Sequence, residues 1–174
     1  MGVFGAIKRL FGYNALNFGL KLIDMHTALV HTHSLLRYFV LILLLLVIAK
    51  AWMGITGKKT FGKADNMLSL TLFSVTHTQL LIGLILYFAA SPLVHFSGAA
   101  MKDPIIRYWT AEHSVLMITA ITLITIARIS IKKMADDTAK HKRLFWFNTI
   151  ALVVILLAIW MSKRGFFSMP GASA

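Results

Sequence analysis

Four apolar segments, each long enough to cross a bilayer, constrain this chain more than any other feature. They occupy 28–53, 66–90, 105–131 and 144–161. A spanning helix needs about 20 mostly apolar residues, and each segment supplies them. The connections carry the breakers and the charges: "GITGKKTFGKAD", "SPLVHFSGAAMKDP" and "KKMADDTAKHKR". Only 14% of the chain is charged, where a soluble domain carries about a quarter. The expected fold is all-α, an integral membrane four-helix bundle over 28–164. A leader, 1–27, precedes it and a short tail, 165–174, follows.

The absence of cysteine removes disulfides, thiolate zinc sites, cysteine-ligated iron–sulfur clusters and C-x-x-C-H haem attachment. Any cofactor must be held by His, Met or oxygen ligands. The formal charge of +12 does not point to nucleic acid, because the basic residues lie mostly between apolar segments. There they set topology and attract anionic lipid. The six acids are too scattered for a paired-carboxylate hydrolase.

The basic residues also orient the bundle. The first and third connections hold Lys50, Lys58, Lys59, Lys63, Arg128, Lys132, Lys133, Lys140, Lys142 and Arg143, ten in all. The other side holds seven: Lys8, Arg9, Lys21, Lys102, Arg107, Lys163 and Arg164. By the excess of Lys and Arg on cytoplasmic loops, those two connections are expected in the cytoplasm. Both termini are then expected on the outer side. The leader places Phe4, Ile7, Phe11, Phe18 and Leu22 near helical spacing without the apolar run of a cleaved signal. An amphipathic helix at the interface is expected there. Met25 offers a second initiation site.

Polar residues intrude at one end of the bundle. The charge-free run 38–49 is twelve residues, about 18 Å as helix, against a hydrocarbon core of about 30 Å. Extending it outward takes in Arg37, Ser34 and His33. The third segment, extended likewise, takes in His113 and Glu112. His33 and Arg37 are four apart and share a helical face. Ionisable groups in a membrane face the bundle interior and pair, so an Arg37–Glu112 contact is expected beside the two histidines. In the second segment His77 lies deeper, with Ser74 one turn before it. Thr76, Gln79 and Gly83 form an adjoining stripe, and Gly83 permits close helix packing. In the fourth segment Asn148, with Phe145, Trp146 and Phe147, is expected to mark the inner interface.

Histidines on facing membrane helices suit haem iron, since neutral imidazole gives one nitrogen to the metal and the other to a hydrogen-bond partner. Axial ligands must lie at nearly equal depth, which favours His33 with His113. Arg37 then suits a propionate. His77, about 10 Å deeper by helix rise, suits a second site, a ring-edge contact or a quinone. Interface histidines also serve purely structural polar clusters. His31 is an alternative to His33, and Met117 is either a ligand or packing. His26, His95 and His141 are expected to be solvated. Tyr108, Trp109, Trp52 and Trp160 fit an interface belt.

The segments "HTHSLLRYFVLILLLL", "HTQLLIGLILYF", "MKDPIIRYWTAEHSVLM" and "LITIARISIKK" with "KHK" resemble short bacterial four-helix membrane proteins that carry the generic label cytochrome b. The resemblance covers 27–164. It implies an inner-membrane protein holding haem b, and the matching positions are His33, Arg37, His77, Gln79, Arg107, Glu112 and His113. The long leader and the ending "IWMSKRGFFSMPGASA" depart from the pattern.

The leading functional expectation is therefore a b-type cytochrome passing electrons between a quinol and a redox partner. A six-coordinate bis-His iron favours electron transfer, having no open position for substrate. Two alternatives stay open. One is a cofactor-free accessory subunit of a respiratory or transport complex, with the polar cluster fixing helix register. The other is a metal or proton pathway along His33, His77, Glu112 and His113, since imidazole binds metals and titrates near neutral pH.

Overall fold

The computed structural model describes residues 3–90 and 94–163. Helix α1 spans Val3–Thr56. α2 spans Lys63–Ile85 and continues through one wide π-helical turn, Leu86–Ala90. α3 spans Pro104–Ile131 and contains a second π turn, Tyr108–Glu112. α4 spans Asp137–Met161. Among the described residues, four helices are long and apolar enough to cross a membrane. The chain is an all-α bundle of multi-pass membrane type.

The helix starts follow from local chemistry. Asp103 accepts from the Ile105 and Ile106 amides, with Pro104 in the first turn, where its missing N–H costs nothing. Asp136 accepts from the Ala139 amide at 2.6 Å, which starts α4 well before its apolar stretch. Asp65 accepts from the Gly62 amide at 2.9 Å. The leader is helical, and α1 runs from it into the spanning segment without a break. The tail at 165–174 lies outside the described residues.

Each helix buries a narrow seam. On α1 it is Val40, Leu44, Val47 and Ala51; on α4 it is Leu144, Asn148, Ala151, Ile155 and Ala158. The three-and-four spacing keeps one stripe facing inward along antiparallel helices. Ala120 and Ala127 of α3 and Ala151 and Ala158 of α4 are buried, and such small residues let backbones approach closely. Asn148 thus lies in the core, at 1% exposure. This corrects its assignment to the interface: its amide donates to the Leu144 carbonyl, which satisfies the side chain's donor without water.

The outer faces carry Phe39, Leu45, Leu81, Val115 and Val153, all exposed, as lipid requires. Exposed threonines on these faces (Thr32, Thr71, Thr78, Thr119) each donate back to the carbonyl four residues earlier. These four hydroxyls are thereby paired without water. Trp52 and Trp146 near one end and Trp160 near the other are also exposed, in keeping with an interface belt.

The neighbours are α1–α2, α1–α4, α3–α4 and, more loosely, α2–α3, so α1 and α3 face one another across the diagonal. The stretch of α1 around His33, the end of α2, the start of α3 and the end of α4 lie at one end, termed here the terminal end. The α1–α2 and α3–α4 connections form the loop end.

Candidate functional site

The terminal end gathers the polar residues singled out from sequence, and its level is set by one hydrogen bond. Tyr87 of α2 donates through Oη to the Thr110 carbonyl of α3 at 2.7 Å. That carbonyl lies within the π turn. The His113 amide bonds five residues back, to the Tyr108 carbonyl, which widens the helix at Thr110. Such turns recur at functional sites. Gly83 lies four residues inward of Tyr87, about 6 Å by helix rise, and His113 three residues inward of Thr110, about 5 Å. The His33 ring rests on Gly83: a Cβ there would stand 3.1 Å from His33 Cε1. By helix rise, His33 and His113 lie at a similar level on diagonal helices.

His33 is tied to α2 twice. Gln79 Nε2 donates to the His33 carbonyl at 2.8 Å, and Gly83 receives the ring. Around this contact three buried polar atoms have no partner in the protein: His33 Nδ1, Arg37 Nε and Gln79 Oε1. Thr76, on the same stripe, is buried and bonds within its own helix. The stripe of Thr76, Gln79 and Gly83 thus turns inward, the latter two onto α1.

The expected Arg37–Glu112 contact does not form. Glu112 Oε1 pairs instead with Arg107 Nε at 2.7 Å, one π turn away on the same helix. Arg37 donates to the Tyr38 hydroxyl at 3.1 Å and lies over its ring. The reason is positional: α1 and α3 are diagonal, so residues at equal depth are separated by the bundle's width, whereas Arg107 is a local partner.

His113 is enclosed by aromatic rings. Tyr108 and Trp109 stand 5.8 and 5.2 Å away between centroids, and the Tyr108 hydroxyl approaches His113 Nδ1 at 3.4 Å. Tyr108 is buried and also donates to the Ala158 carbonyl of α4, so its position is fixed. It belongs to the core rather than to an interface belt. Met117 packs against the apolar core. His31 and His95 are exposed, His26 half-buried.

His77 is half-buried and deeper, six residues or about 9 Å inward of Gly83. Its partner is not Ser74, whose carbonyl accepts from Thr78. His77 Nδ1 lies 2.8 Å from the Phe73 carbonyl, and the rings stack at 4.0 Å. A carbonyl can only accept, so Nδ1 carries the proton and Nε2 presents a lone pair.

A second polar cluster, at the loop end, escaped the sequence reading. Arg128 of α3 is buried and donates through Nη1 to Asn66 Oδ1 at 2.7 Å and Ser69 Oγ at 3.2 Å on α2. Lys50 of α1 pairs with Asp65 of α2 at 3.1 Å. His141, expected to be solvated, is 1% exposed. Its ring lies against Gly54 of α1 and 5.2 Å from the Phe61 ring. The available signal was Gly54 on the same face as Val47 and Ala51, a notch in an otherwise filled seam. Among the described residues, no three His, Cys, Asp or Glu side chains converge as a metal site.

No protein-family model matches the chain, and neither a curated protein nor a solved structure matches it.

Proposed function

We propose that this chain is a b-type haem protein of the bacterial inner membrane, passing electrons between a quinol and a redox partner. The observation that carries this reading is the trio of buried atoms without protein partners, His33 Nδ1, Arg37 Nε and Gln79 Oε1. Buried polar atoms are nearly always paired, and each exception costs about 1–3 kcal/mol. Three together beside a close glycine argue for a polar-edged ligand at the terminal end.

The residues present fit haem b. Two imidazoles on diagonal helices, His33 of α1 and His113 of α3, would hold the iron. Arg37 has no carboxylate partner among the described residues; its Nη2 donates to the Tyr38 hydroxyl, and its unpartnered Nε would suit a propionate. The Glu112–Arg107 pair borders the site. Gln79 holds the His33 backbone and keeps its Oε1 for a ring N–H. Haem, when bound, supplies one-electron exchange. The chain's own part would be to hold the group through two imidazoles, to place a guanidinium beside its carboxylates and to exclude water. The His77 Nε2 lone pair suits a quinol hydroxyl, which needs an acceptor inside the bilayer. The termini are assigned to the periplasm on the distribution of Lys and Arg. The resemblance to cytochrome b-labelled four-helix proteins supports the same function.

A dithionite-reduced minus oxidised spectrum of the purified protein, with His33→Ala and His113→Ala alongside, tests it. A sharp six-coordinate b-haem band lost in both variants is expected. A band surviving both substitutions moves the ligands elsewhere, to His77 first. A colourless protein from haem-supplied cells overturns the proposal and favours an accessory subunit of a larger membrane complex.

A further inference from the structure

The most deeply buried histidine lies outside that site. His141 is 1% exposed and neither ring nitrogen has a hydrogen-bond partner in the protein. It lies one turn before the apolar stretch of α4, among Lys140, Lys142 and Arg143. Its ring is clamped between Gly54 and Phe61. It lines a small cavity with Val47, Lys50, Asp65 and Leu68, which has room for about one water molecule.

We infer that this cavity is a proton-binding site, in which a single water links the His141 ring to the Asp65 carboxylate. Three polar groups face the cavity, His141, Asp65 and Lys50, and a buried water needs two to four. Asp65 has the capacity. Its Oδ1 meets Lys50 and its Oδ2 accepts from the Gly62 amide, while a carboxylate offers about four lone-pair positions.

The charged groups around the ring decide what protonation does. α1 contributes Lys50 and α2 contributes Asp65. On α4 itself Asp137 and Lys140 pair with each other at 2.8 Å. Arg128 of α3 is held by Asn66 and Ser69. Asp137, one turn before His141, also acts on the ring electrostatically, while Asp65 is the acid among the residues that line the cavity. A proton from the aqueous phase at the loop end enters through the water, which passes one proton to a ring nitrogen and takes one in return. The imidazolium then competes with Lys50 for Asp65. The Lys50 side chain is 38% exposed and that of Asp65 is 11%, so the lysine swings toward water and the carboxylate stays. Proton uptake therefore exchanges an α1–α2 tie for an α2–α4 tie. This site does not depend on haem.

The test is a pH titration of the ring-nitrogen NMR shifts in the full chain, labelled at histidine and held in lipid nanodiscs. His141→Asn assigns the signal, and Asp65→Asn and Lys50→Met are compared with wild type. Wild-type ring shifts that change with pH are expected. Asp65→Asn should lower its proton affinity about tenfold, roughly one pH unit, and Lys50→Met should raise it. Equal midpoints in wild type and Lys50→Met, or a ring that never titrates, overturn the inference. The Lys50 variant decides the matter even where Asp65→Asn fails to fold.

Discussion

His33 and Gly83 are in close contact across the α1–α2 seam, where a Cβ on residue 83 would stand 3.1 Å from the ring's Cε1. That spacing is tight but can be relieved by a shift of a few tenths of an ångström. Gly83→Ala should therefore fold, with a stability loss of about 0.5–1.5 kcal/mol from an off-rotamer ring. It should also disturb any cofactor bound by His33, seen as a shifted or broadened absorption band. An unchanged band and melting temperature would separate Gly83 from the site.

Gly54 allows less. A Cβ at 54 would run into the His141 ring itself, which Phe61 flanks as well. Gly54→Ala should cost about 1–3 kcal/mol by overpacking. Adding His141→Ala should return part of that loss, because the two changes share one volume. Thermal melts in detergent read both; strictly additive losses would contradict the contact.

Charge pairing at the terminal end can be separated by double-mutant cycles. Arg107 with Glu112 should couple by about 0.2–1 kcal/mol, the range for pairs that remain in contact with water; their side chains are 47% and 30% exposed. Arg37 with Glu112 should show coupling near zero. The reverse order would restore the cross-bundle pair expected from sequence.

At the loop end the asymmetry of Arg128 is testable. Asn66→Leu leaves a buried guanidinium short of an acceptor and should cost about 1.5–3 kcal/mol. Arg128→Met removes the charge along with the need for acceptors, and should cost less. Chemical denaturation of the two variants checks the ranking.

Segment positions, the membrane class and the similar level of His33 and His113 were legible in the sequence, because length and period are properties of one helix at a time. The contacts of Arg37 and Glu112 were not. Each looked like an unpaired membrane charge, and pairing them ignored the π turn that brings Arg107 to Glu112 and the diagonal that separates α1 from α3. His141 was misjudged because its neighbours along the chain are Lys140 and Lys142, whereas its neighbours in space are Gly54 and Phe61.

The sequence by itself therefore determined four spanning helices, their polar ends and the stripe of Thr76, Gln79 and Gly83. These follow from hydrophobic transfer and helical period, which act locally. Only the tertiary structure decided which polar atoms are left without partners and which histidines are enclosed. Burial depends on what a neighbouring helix places opposite, and a glycine 87 positions away in sequence, the distance from Gly54 to His141, is enough to draw a charged-loop histidine into the core.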